Sequence, residues 1–217
     1  MQKSVFPKSK TIAQIPPTNT PKLPFLSEYA LHVVAFISGG VVLLLEVLAS
    51  RILAPYLGTS FSVWVNIIGI ILAALSLGYY LGGILADRNQ KLLPQIFLIA
   101  AAACSFVYVA KPLLVSVGSL GLVGGSLVAA ILFFAPPSAI LGMVSPYILK
   151  LAANDPNRLG RTSGTIFAAS TLGSIAGTFV GGFWLIPHFS ISHILVGMVA
   201  ILLAVSFWCA GGVRPYW

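Results

Sequence analysis

The stretch that decides the fold is ALHVVAFISGGVVLLLEVLASRILA, residues 30–54. Only His32, Glu46 and Arg51 in this run are ionisable, and about 20 apolar residues are enough for an α-helix to cross the hydrocarbon core of a bilayer. A cleaved signal peptide has a shorter apolar region, of about 7–15 residues, followed by a small-residue cleavage site. The length of the run and its internal Glu46 therefore predict an uncleaved transmembrane helix.

The same kind of sequence recurs along the rest of the chain. Of 217 residues, 58% are hydrophobic and 7% are charged, whereas an ordinary soluble domain is about one quarter charged. Turn residues such as Pro55 and Pro187 separate the apolar runs. We predict an all-α integral membrane protein, with a domain at 28–212 containing six transmembrane helices at 30–54, 63–86, 94–117, 126–150, 162–186 and 190–210.

The segments outside this domain are short and polar. Residues 1–27 carry four lysines and five prolines, a composition that suits a disordered, extended arm. Residues 213–217 form a short tail. The arm lacks an apolar face that folding would bury.

The distribution of basic residues predicts the orientation, because short loops rich in Lys and Arg stay cytoplasmic. With the N-terminus inside, ten of the twelve Lys and Arg residues lie on the cytoplasmic side, and only Arg51 and Lys111 lie on the other. Both termini are therefore expected in the cytoplasm of a multi-pass protein of the cell membrane. The net charge of +8 indicates contact with the headgroups of the lipid bilayer rather than with nucleic acid.

An internal repeat emerges when the sequence is compared with itself at a shift of 95 residues. Seven of the fourteen positions from 69 to 82 are then identical. Gly78 and Gly82 align with Gly173 and Gly177, and each pair lies on one helix face, where small residues permit close packing. Two copies of three helices would have opposite topology, which is the inverted 3+3 repeat of many transporters. The alternative is that Gly- and Ala-rich helices are similar by composition alone.

Five blocks of sequence carry a resemblance to a known family. They resemble the membrane domain of the fused major-facilitator/spermidine-synthase-like proteins, over a stretch from about residue 30 to residue 210. The resemblance implies that the six helices form half of a major-facilitator-like bundle. The blocks are LEVLASR at 45–51, APYLGT at 54–59, SLGYYLGGILADR at 76–88, GMVSP at 142–146 and STLGS at 170–174.

Members of that family commonly carry a cytoplasmic aminopropyltransferase-like domain after the last helix, whereas this chain stops at Trp217. No catalytic residue of that domain can be carried over. We therefore expect no enzymatic activity and no cofactor in this chain. The enzyme half is then a separate aminopropyltransferase-like partner at the cytoplasmic face, is lost, or lies beyond a truncated end.

Two polar residues inside the predicted helices are candidates for a substrate or proton site. Glu46 is the only acid well inside a predicted span, and a charge at that depth costs at least about 2.5 kcal/mol unless it is paired or protonated. It is either a functional site or a structural hydrogen-bonding group. Arg51 is an unsuitable partner, because five residues of helix place it about 140° away around the axis. Asn66 is the second candidate, with an interhelical hydrogen bond as the alternative.

A gating element is implied by Asp87, Arg88 and Lys91, which follow Gly83 in a pattern similar to the major-facilitator loop between helices 2 and 3. In that family a carboxylate and basic groups latch neighbouring helix ends. Gln90 departs from the pattern, since the family usually has Gly there. A solvated helix end is the alternative interpretation.

Three prolines are predicted to interrupt the fourth helix. Pro136 and Pro137 each lack a backbone N–H and should kink or break the helix, and Pro146 adds a second interruption. An interrupted helix can present backbone carbonyls to a cation, although proline kinks are also ordinary in membrane helices. No pattern of metal ligands is present, and Cys104 and Cys209 lack metal-ligand spacing.

These observations leave two functional hypotheses open. One is a transporter-like domain that moves a small cation such as a polyamine, with Glu46 as the counter-charge and a homodimer completing the transport path. The other is a non-transporting anchor or regulator of a separate spermidine-synthase-like enzyme. The polyamine is implied by the resemblance alone.

The orientation is directly testable. Reporters fused at residue 2 and after Trp217 should both respond in the cytoplasm, because six crossings return the chain to its starting side. Protease protection of the same fusions in sealed vesicles provides an independent measurement. An extracytoplasmic C-terminal reporter beside a cytoplasmic N-terminal one would contradict the predicted number of crossings.

Overall fold

The computed structural model describes residues 28–152 and 158–212. The predicted arm at 1–27, the turn at 154–157 and the tail at 213–217 lie outside these residues. Within them, five helices are long and apolar enough to span a membrane. Numbered as the six predicted helices, they are the first, second, fourth, fifth and sixth spans. The first span is Tyr29–Leu57 in α1 (Glu28–Leu57), and the second is α2 (Phe61–Arg88). The fourth is Leu122–Ala152, the fifth is Leu159–His188 and the sixth is Ile191–Gly211 in α10 (Ile191–Gly212).

The third predicted helix is bent. It consists of α3 (Leu93–Val109), a short 3-10 turn at Lys111–Leu113 and α4 (Leu114–Gly118), with a bend of 52° between the two parts. The helix predicted at 94–117 is therefore bent in the structure. Pro112 explains the bend, because it donates no backbone hydrogen bond and disfavours the helical conformation of the residue before it.

The fourth span stays continuous despite its prolines. It contains α5 (Leu122–Ala129), a π-helical turn at Ala130–Phe134, α6 (Ala135–Gly142) and α7 (Val144–Ala152). The regular α-helix is interrupted by a π turn before Pro136 and by a turn residue, Met143, before Pro146, but the span is not divided. The π turn precedes Pro136 and Pro137, and the N–H of Ala135 donates to the carbonyl of Ala130, five residues back. Pro146 lies in the first turn of α7, where a missing N–H costs little.

The fifth span repeats this arrangement. It contains α8 (Leu159–Phe179), a π-helical turn at Val180–Leu185 and α9 (Ile186–His188). The N–H of Ile186 donates to the carbonyl of Gly181, and Pro187 follows immediately. In both spans a wide turn precedes a proline, so the backbone remains helical where the i to i−4 pattern is lost.

Glycines bring α1 and α8 into backbone contact. A methyl group built on Gly173 would lie 2.6 Å from the carbonyl carbon of Phe36, and one on Gly177 would lie 2.8 Å from that of Gly40. A methyl group on Gly39 would lie 2.9 Å from the carbonyl carbon of Ser170. From the Phe36·Gly173 pair to the Gly40·Gly177 pair the residue numbers rise by four on both helices, so α1 and α8 are parallel.

A second glycine contact joins α2 to the fourth span. A methyl group on Gly78 would lie 3.0 Å from the carbonyl carbon of Ala139, and one on Gly82 would lie 2.9 Å from that of Met143. From the opposite side, a methyl group on Gly142 would lie 2.9 Å from the carbonyl oxygen of Leu75. Gly78, Gly82, Gly173 and Gly177, which were predicted to permit close packing, all lie at these two contacts.

The bent third segment lies along α10. The Ser206 hydroxyl donates to the carbonyl of Pro94 at 2.7 Å, and Lys111 Nζ donates to Ser192 Oγ at 3.0 Å. Pro94 and Lys111 stand near opposite ends of the segment, and their partners are fourteen residues apart on α10. The segment and α10 are therefore antiparallel over a length of about 21 Å at 1.5 Å per residue.

Large apolar side chains face outward from the bundle. Phe61 and Tyr80 on α2 and Phe183 in the fifth span are exposed over 82%, 68% and 76% of their surface. Contiguous exposed apolar surface of this kind is unfavourable in water, but it is favourable against lipid tails. The exposed surface thus supports a helical bundle in a membrane.

Packing at the α1·α8 contact makes a matched pair of substitutions informative. Gly173→Ala should lower the stability by about 1–3 kcal/mol, as expected for overpacking, because its methyl group meets the Phe36 backbone. Gly164→Ala on the same helix should cause no loss, since its methyl group enters open space. Thermal unfolding midpoints of the two variants in one detergent provide the measurement. Equal midpoints would contradict the contact.

Candidate functional site

Glu46 lies on α1, eleven residues before the end of that helix at Leu57. It follows Gly39 by seven residues, which is 20° short of two full turns, so both residues lie on the same helix face. Gly39 packs against Ser170 of α8. Glu46 therefore lies on this face about 10 Å farther along the helix axis, and it is half-buried.

The carboxylate of Glu46 has no polar partner in the described part of the chain. The Asp87–Lys150 ion pair does not include Glu46, and no side-chain hydrogen bond in the described part of the chain involves it. Arg51 is exposed at the other side of the helix, as the 140° separation predicts. Since a charged group inside a membrane span is unfavourable without a partner, this carboxylate is available to a bound cation or a proton.

Asn66 is engaged in an interhelical contact. Its Nδ2 donates to Ser126 Oγ at 2.8 Å and to the carbonyl of Val123 at 3.1 Å, which links the start of α2 to α5. These bonds account for both hydrogens of the amide nitrogen. The structure thus favours the hydrogen-bonding alternative for Asn66 and does not join it to Glu46.

The structure pairs one of the three predicted latch residues with a basic group on another helix. Asp87 pairs with Lys150 at the end of α7, with Oδ1 and Nζ 2.7 Å apart. Arg88 and Lys91 are exposed and take no part in this pair. Because both side chains of the pair are about half exposed, its contribution to stability is small, roughly 0–1 kcal/mol. It does join the ends of α2 and the fourth span.

A buried tyrosine reinforces this junction. The Tyr147 hydroxyl donates to the carbonyl of Asn89 and accepts a hydrogen bond of 2.8 Å from the N–H of Leu92. Tyr147 is fully buried, and its two partners belong to the turn between α2 and α3. This one side chain therefore satisfies two backbone groups and holds the turn against α7.

Sequence reasoning missed several residues that build the site. Gly39 and Gly40 form the α1 side of the backbone contact, and the Gly-Gly pair inside an apolar helix was a usable signal. Lys150 and Tyr147 gave no such signal, because a charge at a helix end and a tyrosine in a span occur for many reasons. Only the tertiary structure identifies their partners.

No family model, curated protein or solved structure matches this chain. The residues at 28–152 and 158–212 also contain no group of three His, Cys, Asp or Glu side chains placed to hold a metal ion. The site is therefore interpreted from its own geometry. Its distinguishing feature is the half-buried Glu46 carboxylate beside a tightly packed helix pair.

The role of Tyr147 is testable by removing a single oxygen atom. Tyr147→Phe should lower the stability by about 1–3 kcal/mol, the penalty for leaving buried polar groups unsatisfied, because Leu92 and Asn89 lose their partner. Tyr80→Phe removes the same atom from a side chain that is 68% exposed and serves as the control. Thermal unfolding of both variants gives the comparison, and equal shifts would contradict the role of Tyr147.

Proposed function

We propose that this chain is a transporter-like membrane domain that moves a small cation, with Glu46 as its counter-charge. The observation that carries the proposal is the half-buried Glu46 carboxylate inside an apolar helix, with no polar partner among the described residues. A carboxylate in that position must bind a cation or a proton to be stable. A polyamine is one candidate cation, on the strength of the sequence resemblance alone.

Helix directions support six crossings. Contacts of Gly78 and Gly82 with Ala139 and Met143 make α2 parallel to the fourth span. Two consecutive crossings in the same direction require the segment between them to return through the membrane. The bent segment formed by α3 and α4 meets this requirement, because it lies antiparallel to α10 along most of its length.

The packing contacts also support an inverted repeat. Three residue pairs of the α1·α8 contact correspond to three residue pairs of the contact between α2 and the fourth span. Between corresponding residues the difference in residue number is constant for each helix. The shift is 95 residues from α2 to α8 and 103 residues from α1 to the fourth span. The corresponding pairs are Gly39·Ser170 with Gly142·Leu75, Phe36·Gly173 with Ala139·Gly78, and Gly40·Gly177 with Met143·Gly82.

A further contact supports opposite directions for the two copies of the repeat. Leu57, at the end of α1, reaches Gly125, near the start of the fourth span, where a built methyl group would lie 2.8 Å from Leu57 Cδ2. The two helices are therefore antiparallel, and a rotation that superposes one on the other reverses its direction. Transporters built from inverted repeats bind their substrates near the midplane between the copies.

Six helices are half of a major-facilitator-like bundle. Two copies of the chain would therefore enclose a transport path from both sides. We propose a homodimer on this basis. Exposed, predominantly basic groups at the end of the bundle favour a second candidate function, a membrane anchor for a separate cytoplasmic enzyme. These groups are Asp87, Arg88, Lys91, Lys150 and Arg161.

Uptake into liposomes tests the transport function. Purified chain should accumulate labelled putrescine or spermidine above the level of protein-free liposomes. Glu46→Gln should abolish this uptake or remove its dependence on pH while keeping the fold, because the amide has the same shape and carries no charge. Glu46→Asp retains the charge and should retain part of the activity.

Thermal unfolding on the same preparations separates a functional role from a structural one. A stable Glu46→Gln variant with full specific uptake would eliminate the counter-charge. Loss of stability with uptake proportional to the amount of folded protein would make Glu46 a structural residue. Absence of uptake of either polyamine and of unrelated cations by correctly oriented wild-type chain would favour the anchor.

A further inference from the structure

A cavity of about 560 Å³ opens between the first turns of α1 and α8. It lies at the same end of the bundle as Lys150, since only the short stretch 153–157 separates α7 from Arg158. Its described lining is basic or polar and contains no acidic side chain. The lining residues are Tyr29, His32, Arg158, Arg161, Thr162 and Thr165.

The helix contact explains why the cavity exists. The two parallel helices touch through glycine at Gly39 and Gly173, whereas large side chains occupy their first turns. Tyr29 and His32 are three residues apart and share one face of α1. At the start of α8, each lining residue from Arg158 to Thr165 has two others three or four residues away, so they share one face of the helix. The first turns are therefore held apart, and polar side chains face the gap.

The cavity combines several groups that bind anions. Arg161 provides a guanidinium group, whose fixed donors match the oxygen atoms of phosphate, and Arg158 adds a second positive charge to the lining. The side chain of Arg158 does not cap α8, and the first N–H groups of a helix lack partners within it. Their partial positive charge adds to that of the arginines. The Tyr29 and Thr162 hydroxyls are further donors.

We propose that this cavity binds a phosphate group, carried by the headgroup of an anionic lipid. The basic end of the bundle is where such headgroups are expected. Val33 and Phe36 are exposed on α1, one and two turns beyond Tyr29, and they form an apolar track on which an acyl chain can lie. A soluble phosphate compound would use the same donors without this track.

Binding of lipids to the purified full chain tests the assignment. Native mass spectrometry should show at least about tenfold stronger retention of phosphatidate than of phosphatidylcholine, because only the former presents an uncapped phosphate to charged donors. Arg161→Gln should weaken phosphatidate binding about tenfold. Arg88→Gln removes one charge at the same end of the bundle but outside the cavity, and should change the binding less than about twofold.

A second variant tests the cavity without changing the charge of its lining. Thr162→Val removes a hydroxyl and keeps every charge, so a loss of phosphatidate binding at an unchanged unfolding midpoint would support the cavity. Competition with inorganic phosphate distinguishes a lipid headgroup from a soluble compound as the source of the bound phosphate group. Displacement by phosphate would identify a soluble phosphate compound as the occupant and overturn the lipid assignment, whereas resistance to it supports the lipid.

Two outcomes would overturn the site itself. One is equal retention of phosphatidate and phosphatidylcholine by wild-type chain. The other is an equal loss of binding in Arg161→Gln and Arg88→Gln, which would indicate diffuse attraction to a basic surface. Neither outcome bears on Glu46 or on transport, so this inference and the proposed function can fail independently.

Discussion

The close approach of helix backbones at glycine is the constraint on which the rest of this bundle depends. Lipid tails are as apolar as leucine, so burial of apolar side chains does little to bring helices together in a bilayer. Packing between backbones must supply the attraction. Gly39, Gly40, Gly173 and Gly177 allow this between α1 and α8, and Gly78, Gly82 and Gly142 allow it between α2 and the fourth span.

Both contacts have consequences for the polar groups of the bundle. The α1·α8 crossing sets the face on which Glu46 lies and leaves the basic cavity between the first turns of the same helices. The contact between α2 and the fourth span brings Asp87 to Lys150, while Tyr147 reaches the turn that follows α2. The bundle thus provides partners for Asp87 and Tyr147 and leaves Glu46 available.

The apolar runs in the sequence were sufficient for the positions of the long helices, because any run of about 20 apolar residues has one stable arrangement in a bilayer. The bend of the third segment and the form of the interruptions in the fourth span did not follow from the sequence. Pro112 bends its segment, whereas Pro136 and Pro137 follow a π turn without breaking theirs. A proline indicates a missing hydrogen bond, but the neighbouring helices determine how the backbone adapts to it.

The sequence by itself determined that the chain is helical, that its helices are long enough for a membrane and that Glu46 stands alone within a span. It also identified four of the packing glycines, since small residues spaced four apart mark a helix face. Only the tertiary structure decided which helices meet there, that Asn66 bonds to α5 and that Lys150 pairs with Asp87. The physical reason is that one helix face can pack against several partners, and the choice among them depends on contacts between residues far apart in the chain.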